Sequence, residues 1–146
     1  MERSKFIKTL GCAIVGIPLG MSLLQSCESI YYAQSQNKDG KIVIKKSEFE
    51  LSNSKGTSYR NFVLLNKAVD GYPVCLYRTD EQTYTASLLK CTHQGCELDV
   101  GGGIYTCPCH GSEFQTDGKV IQGPAEKNLR TYSITTDHEN IYIHLI

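Results

Sequence analysis

Four cysteines and two histidines fall within the twenty-two residues from Cys91 to Ser112, and no other stretch constrains the chain as tightly. The first group reads Cys91-Thr92-His93-Gln94-Gly95-Cys96. The second, after ten intervening residues, reads Cys107-Pro108-Cys109-His110-Gly111-Ser112. Cys91 and His93 are two apart, and Cys107 and His110 are three apart. Side chains from one tight loop reach a common site only at such short separations, so each group offers one Cys/His pair to a metal centre. Two thiolates and two imidazoles suit a single tetrahedral zinc, or an iron–sulfur cluster in which His replaces Cys on one iron. Zinc-finger pairs are usually Cys-x-x-Cys and His-x-x-x-His, whereas these pairs are mixed. Zinc would also leave Cys96 and Cys109 over.

The two boxes resemble those of Rieske [2Fe–2S] proteins, Cys-Thr-His-x-Gly-Cys and Cys-Pro-Cys-His-Gly-Ser, and the resemblance covers about Tyr72 to Ile146. It implies one [2Fe–2S] cluster per chain, with Cys91 and Cys107 on a buried iron and His93 and His110 on an outer, solvent-facing iron. It also implies a Cys96–Cys109 disulfide between the loops, a feature of the respiratory, high-potential branch. Gly123-Pro124-Ala125 resembles the proline loop that covers the cluster from a third side. Neutral imidazoles repel an added electron less than thiolates do, which raises the potential into the range of ~−150 to +300 mV. Hydrogen bonds to the sulfurs raise it further, because they stabilise the electron-rich state. By resemblance, Ser112 donates one such bond to a bridging sulfide. Two positions later the high-potential members carry a Tyr that donates to a ligand cysteine; Phe114 stands there and has no hydroxyl. The expected potential is therefore below that of the highest members, suited to a low-potential quinol such as menaquinol or to a soluble partner.

The chain has 146 residues, which allows one domain of ordinary size. Its formal net charge of zero gives no electrostatic case for nucleic-acid binding. Residues 1–27 read as a signal segment: Arg3, Lys5 and Lys8 precede a nineteen-residue uncharged stretch from Thr9 to Cys27. The stretch approaches the ~20 residues that span a bilayer, so an uncleaved membrane anchor is the alternative. It is broken by Gly11, Gly16, Pro18 and Gly20, and it ends Leu24-Gln25-Ser26-Cys27, which resembles a bacterial lipobox with Cys27 as the lipidated mature N-terminus. Arg3-Ser4-Lys5-Phe6-Ile7-Lys8 resembles a twin-arginine export motif with Ser in place of the second Arg. Removal of the leader takes away three positive charges and Glu2, changing the formal charge from 0 to −2.

Residues 28–40 are polar and lack a hydrophobic period, which predicts a flexible tether of ~20 Å reach; Tyr31 and Tyr32 leave open that this segment packs on the domain. From residue 41 the pattern is that of strands and turns. Lys41–Lys45, Asn61–Asn66, Tyr72–Arg78 and Thr83–Leu89 are β-branched or aromatic runs separated by turn residues. Glu97–Val100 and Ile104–Thr106 predict a hairpin across Gly101-Gly102-Gly103 that brings the two loops together. Lys119–Gln122, Leu129–Thr135 and Asn140–Ile146 predict the closing strands. Cys75 reads as a buried core thiol. The expected fold over residues 41–146 is all-β: a Rieske-like antiparallel β sandwich with a small cluster-binding subdomain.

The function that this implies is one-electron transfer in a membrane-associated respiratory chain, with quinol as donor and a cytochrome-b-like partner supplying the quinol pocket. The expected site is the outer side of a bacterial cytoplasmic membrane, through a lipid anchor. A second reading is the carrier subunit of another oxidoreductase, such as an arsenite-oxidase-like molybdenum enzyme. A third is a redox sensor or a structural metal-site protein. No catalytic nucleophile or acid–base pair stands outside the loops, so the chain reads as an electron-transfer subunit rather than an enzyme alone.

Overall fold

The computed structural model describes residues 30–54 and 56–146; the signal segment and Cys27 lie outside them. The named strands all pair antiparallel, and a short 3-10 helix lies at Lys46–Phe49. Thirteen strands follow in order among the described residues: β1 Ser35–Lys38, β2 Lys41–Lys45, β3 Glu50–Asn53, β4 Gly56–Tyr59, β5 Phe62–Val69, β6 Tyr72–Arg78, β7 Tyr84–Leu88, β8 Asp99–Gly101, β9 Ile104–Thr106, β10 Glu113–Gln115, β11 Val120–Gln122, β12 Thr131–Thr136 and β13 Asn140–His144. The main sheet runs β1-β2-β13-β12-β7-β6-β5. A small sheet, β11-β10-β9-β8, carries the second cysteine box between β9 and β10, and β3–β4 form a separate hairpin. The expected all-β class and the small subdomain agree with this architecture.

Strands β5 and β6 lie between two cores. Side chains alternate across a strand, so residues two apart share a face. On β5, Val63 and Leu65 enter the main core, whereas Phe62 and Leu64 enter a second core beneath the cysteine boxes. On β6, Val74 and Leu76 go one way and Cys75 the other. Burial of both faces explains why these runs are apolar without alternation. The second core adds Leu89, Leu98, Tyr105, Phe114, Ala125 and Leu129, so residues from both sheets make one floor under the boxes.

The joint between the sheets centres on one backbone carbonyl. Thr85 Oγ1 donates to Thr116 O at 2.8 Å, Tyr105 Oη at 3.2 Å and Ser87 Oγ at 3.4 Å. Ser87 and Tyr105 are fully buried. Burial first, and then the Cys75 thiol beside it, push the Tyr105 phenol far above its ordinary range.

Within the segment expected to be a tether, residues 31–38 are docked. Ala33 N–H donates to Leu64 O and Leu64 N–H to Tyr31 O, both at 2.9 Å, so residues 31–33 run parallel to β5. Residues 35–38 then pair with β2. One stretch of chain thus lies against β5 at one end of the main sheet and then, as β1, adds to β2 at the other. Edge strands carry unpaired N–H and C=O groups, and pairing them outweighs the polarity of the side chains. Tyr31 also donates from its hydroxyl to Glu48 at 2.9 Å and lies under the Arg60 guanidinium.

Candidate metal centre

The two cysteine boxes adopt one backbone design. Cys91 N–H donates to Cys96 O at 2.8 Å, and Gly95 N–H to Cys91 O at 2.9 Å. In the second box Cys107 N–H donates to Ser112 O at 2.8 Å, and Gly111 N–H to Cys107 O at 3.0 Å. Each loop therefore closes between its first and sixth residues, with a glycine fifth. Gly95 and Gly111 have φ of +79° and +77°, a region that a side chain disfavours. No crowding compels Gly95: a Cβ there would meet Lys90 Cε at 3.5 Å and Tyr72 Oη at 3.6 Å, which are ordinary contacts. The backbone conformation alone requires glycine.

Equivalent closure sorts the side chains by depth. Cys91 and Cys107 open their loops, and each is 2% exposed at the edge of the second core. His93 and His110 stand near the tips and are exposed. Their rings meet edge to face, with centroids 5.1 Å apart and an interplanar angle of 84°. Two loops thus present two thiols on the inside and two imidazoles on the outside.

Cys96 and Cys109 are joined in a disulfide, with Cα atoms 6.5 Å apart. The Cys107 sulfur lies within 4.8 Å of both disulfide sulfurs. Three sulfurs so placed look like part of a metal cage, but two of them are bonded to each other and have no thiolate to offer. The available thiols of the boxes are those of Cys91 and Cys107, neither of which is in a disulfide.

A third loop, residues 123–128, leans on both boxes. Ala125 N–H donates to Ser112 Oγ at 3.0 Å, and both residues are buried. Thr92 Oγ1 donates to Lys127 O at 2.6 Å, and Gln122 Nε2 to Gly111 O at 3.2 Å. Ala125 lies in the second core, while Gly123 and Pro124 are exposed and joined by a cis peptide bond. The expected cover residues therefore divide into one that packs inward and two at the surface. Phe114 is fully buried in the same core, opposite Tyr105 on β9.

Sequence reasoning missed Tyr72 as a site residue. From the start of β6 its hydroxyl donates to Gly95 O at 2.7 Å, and the Lys90 ammonium lies 4.8 Å from its ring centroid. Nothing local marks this contact, because the partners are 23 residues apart. Beside the first loop a cleft of ≈ 500 Å³ is bordered by Asp70, Lys90, His93, Gln94, Lys127 and Arg130. Its charges are mixed, and the Arg130–Asp70 pair at 3.7 Å is exposed, so it adds little stability.

Two buried thiols and two exposed imidazoles are donors of the kinds that mixed-ligand two-iron clusters use. Comparisons with known proteins support the [2Fe-2S] cluster itself. A family model described as "Rieske [2Fe-2S] domain" matches residues 43–133. The chain is 47% identical over 53 residues to a "Cytochrome b6-f complex iron-sulfur subunit" of Synechococcus sp. (strain JA-2-3B'a(2-13)), covering 35% of this chain and 31% of that protein. The same-named subunit of Prochlorococcus marinus (strain MIT 9303) is 38% identical over 55 residues, covering 36% and 31%. The chain thus spans about a third of the length of these relatives. Among solved structures, the plasma membrane Rieske protein PetC3 from Synechocystis PCC 6803 is similar at 32% identity and a TM-score of 0.50, over 57% of this chain and 85% of that one. The apo form of the quaternary ammonium Rieske monooxygenase CntA has a TM-score of 0.53 at 16% identity, over 82% and 35%, which is a likeness of fold alone.

Proposed function

This chain belongs to the Rieske [2Fe-2S] domain family, and on that premise we propose that it is a one-electron carrier of a membrane-associated respiratory chain, taking electrons from quinol beside a cytochrome-b-like partner. The observation that carries this reading is the depth-sorted pair of loops, with Cys91 and Cys107 buried and His93 and His110 exposed. In this role the two thiols hold the group from the inside, where the second core keeps water away. The two imidazoles hold it from the outside and present their free edges to a partner. When bound, the [2Fe–2S] cluster supplies one reversibly held electron. Ser112 Oγ accepts from Ala125, so its O–H remains available to donate toward a sulfur and raise the potential. Gly123, Pro124 and Ala125 screen the third side.

The partial relatives named as cytochrome b6-f complex iron-sulfur subunits support a quinol-oxidising assembly. The relative described as a plasma membrane Rieske protein supports a membrane setting. We assign residues 1–27 as an export signal with Cys27 lipidated, on the outer face of a bacterial cytoplasmic membrane. The docking of residues 31–38 leaves only residues 28–30 between that anchor and the folded chain, a reach of about 10 Å. Phe114 favours a second reading, the carrier subunit of another oxidoreductase such as a molybdenum enzyme, because the missing hydroxyl lowers the potential.

An EPR-monitored redox titration of the full chain tests the proposal, together with quinol oxidation by membranes with and without it. A rhombic reduced-state signal at moderately positive potential and a chain-dependent quinol oxidation are expected. A markedly negative midpoint would point to a ferredoxin-like carrier. Bound zinc and no signal would overturn the reading.

A further inference from the structure

We propose that Cys107 is an internal nucleophile toward the Cys96–Cys109 disulfide, so that a chain lacking its cluster exchanges its native bridge for a Cys96–Cys107 bridge. The observation is the placement of three sulfurs: Cys107 Sγ lies within 4.8 Å of both Cys96 Sγ and Cys109 Sγ, and Cys96 and Cys109 are already bonded. Thiol–disulfide exchange proceeds by attack of a thiolate on a disulfide sulfur, with the other sulfur leaving, so it needs a thiol within reach of the bridge. The fold places the Cys107 sulfur and both bridge sulfurs together. Cys91, the other available thiol of the boxes, is not among the three sulfurs.

The step balances within the chain. Cys107 Sγ attacks Cys96 Sγ, the Cys96–Cys109 bond breaks, and Cys109 leaves as a thiolate. The proton given up by Cys107 ends on Cys109. One disulfide is present before and after, so no oxidant or reductant is consumed. Attack on Cys109 instead would close a Cys107–Cys109 bridge over Pro108 alone, a small ring across a residue with fixed φ. Attack on Cys96 keeps the two loops joined, with a sequence separation of 11 in place of 13.

The exchange has a chemical consequence. Cys107 is buried and Cys109 is exposed, so the product exposes a thiol and removes a buried one. On the reading of Cys107 as an iron ligand, that removal disables the site. Bound iron in turn occupies Cys107 and protects the native bridge. The native bridge is therefore protected beside a loaded site and open to exchange beside an empty one. The exchange itself does not depend on the quinol assignment.

The test uses the full chain, loaded and after removal of iron, held without reductant. Samples are quenched with N-ethylmaleimide, and the disulfides are mapped by mass spectrometry. Expected in the iron-free chain is growth of a Cys96–Cys107 peptide with equal labelling of Cys109, while the loaded chain keeps Cys96–Cys109. Cys107→Ser should abolish the new peptide, and Cys91→Ser should leave it unchanged. Persistence of Cys96–Cys109 alone, with Cys107 labelled, overturns the proposal. So does a mixture in which Cys75 and Cys91 also enter bridges, because that pattern reports scrambling of an unfolded chain. These readouts are independent of redox activity, so a failed exchange and a failed quinol assignment are distinguishable.

Discussion

The Ser112 hydroxyl accepts the backbone N–H of Ala125 at 3.0 Å, inside the protein, and so pins the third loop to the second cysteine box. Both residues are buried. Ser112→Ala should leave the Ala125 N–H unpaired and destabilise the chain by about 1–3 kcal/mol. On the proposed function it should also lower the midpoint potential, because the serine O–H no longer reaches a sulfur. Thermal unfolding and redox titration of the same variant check the two parts. An unchanged potential beside a lowered melting temperature would confine Ser112 to a structural role.

Phe114 is fully buried in the floor of the site. Phe114→Tyr adds a hydroxyl at the position where the resemblance expects one, and on the proposed function the midpoint should rise. A buried phenol without a partner would instead cost about 1–3 kcal/mol and leave the potential where it was. The titration, read beside the melting temperature, separates these outcomes.

Tyr72 holds the carbonyl of Gly95 from outside the box. Tyr72→Phe keeps the ring under Lys90 and removes only the hydrogen bond, which should cost about 0.5–1.5 kcal/mol. Because Gly95 lies two residues from His93, the reduced-state EPR spectrum should change as well. A spectrum identical to the parent's would show that the bond stabilises the loop without orienting the ligand.

Asp137 closes the β12–β13 turn. Its carboxylate accepts Tyr142 Oη at 2.6 Å and the N–H groups of Asn140 and Glu139 at 2.6 and 2.8 Å. The Tyr142 hydrogen bond first, and these backbone bonds next, hold its pKa far below the ordinary 3.8. A depressed carboxylate contributes stability that is fully present above the unfolded value and is lost as pH falls toward the folded one. The contribution is therefore intact at neutral pH and fades progressively below pH 3.8. Asp137→Asn should lower the melting temperature at pH 7 and narrow the gap to the parent under strongly acidic conditions. A gap that is constant with pH would show that the charge is not what stabilises the turn.

Several elements were legible without coordinates because their signals are local. Strands β2, β6 and β9 match the predicted runs end to end, since each is a continuous β-branched or aromatic segment. Strand β5 runs on to Val69 through Lys67, whose φ of +44° marks the register shift against β6. The β3–β4 hairpin went unseen because its strands carry no hydrophobic alternation, and β4 is wholly exposed. Strand β10 was hidden in three residues after the second box. The supposed tether was misjudged for a related reason: β1 is wholly exposed, and only its backbone is used.

By itself the sequence determined the chemistry of the site and the class of fold. Thiols, imidazoles and glycines at fixed short spacings can close only a few kinds of loop, and residue type sets which metals they suit. The tertiary structure decided everything that joins distant segments. It placed Cys107 beside the Cys96–Cys109 bridge, Tyr72 on Gly95, Ala125 on Ser112, and residues 31–38 along both edges of the sheet. Spacing within a loop is written in the sequence. Which backbone groups a loop or sheet edge leaves unpaired, and what chain reaches them, is fixed only when the strands have packed.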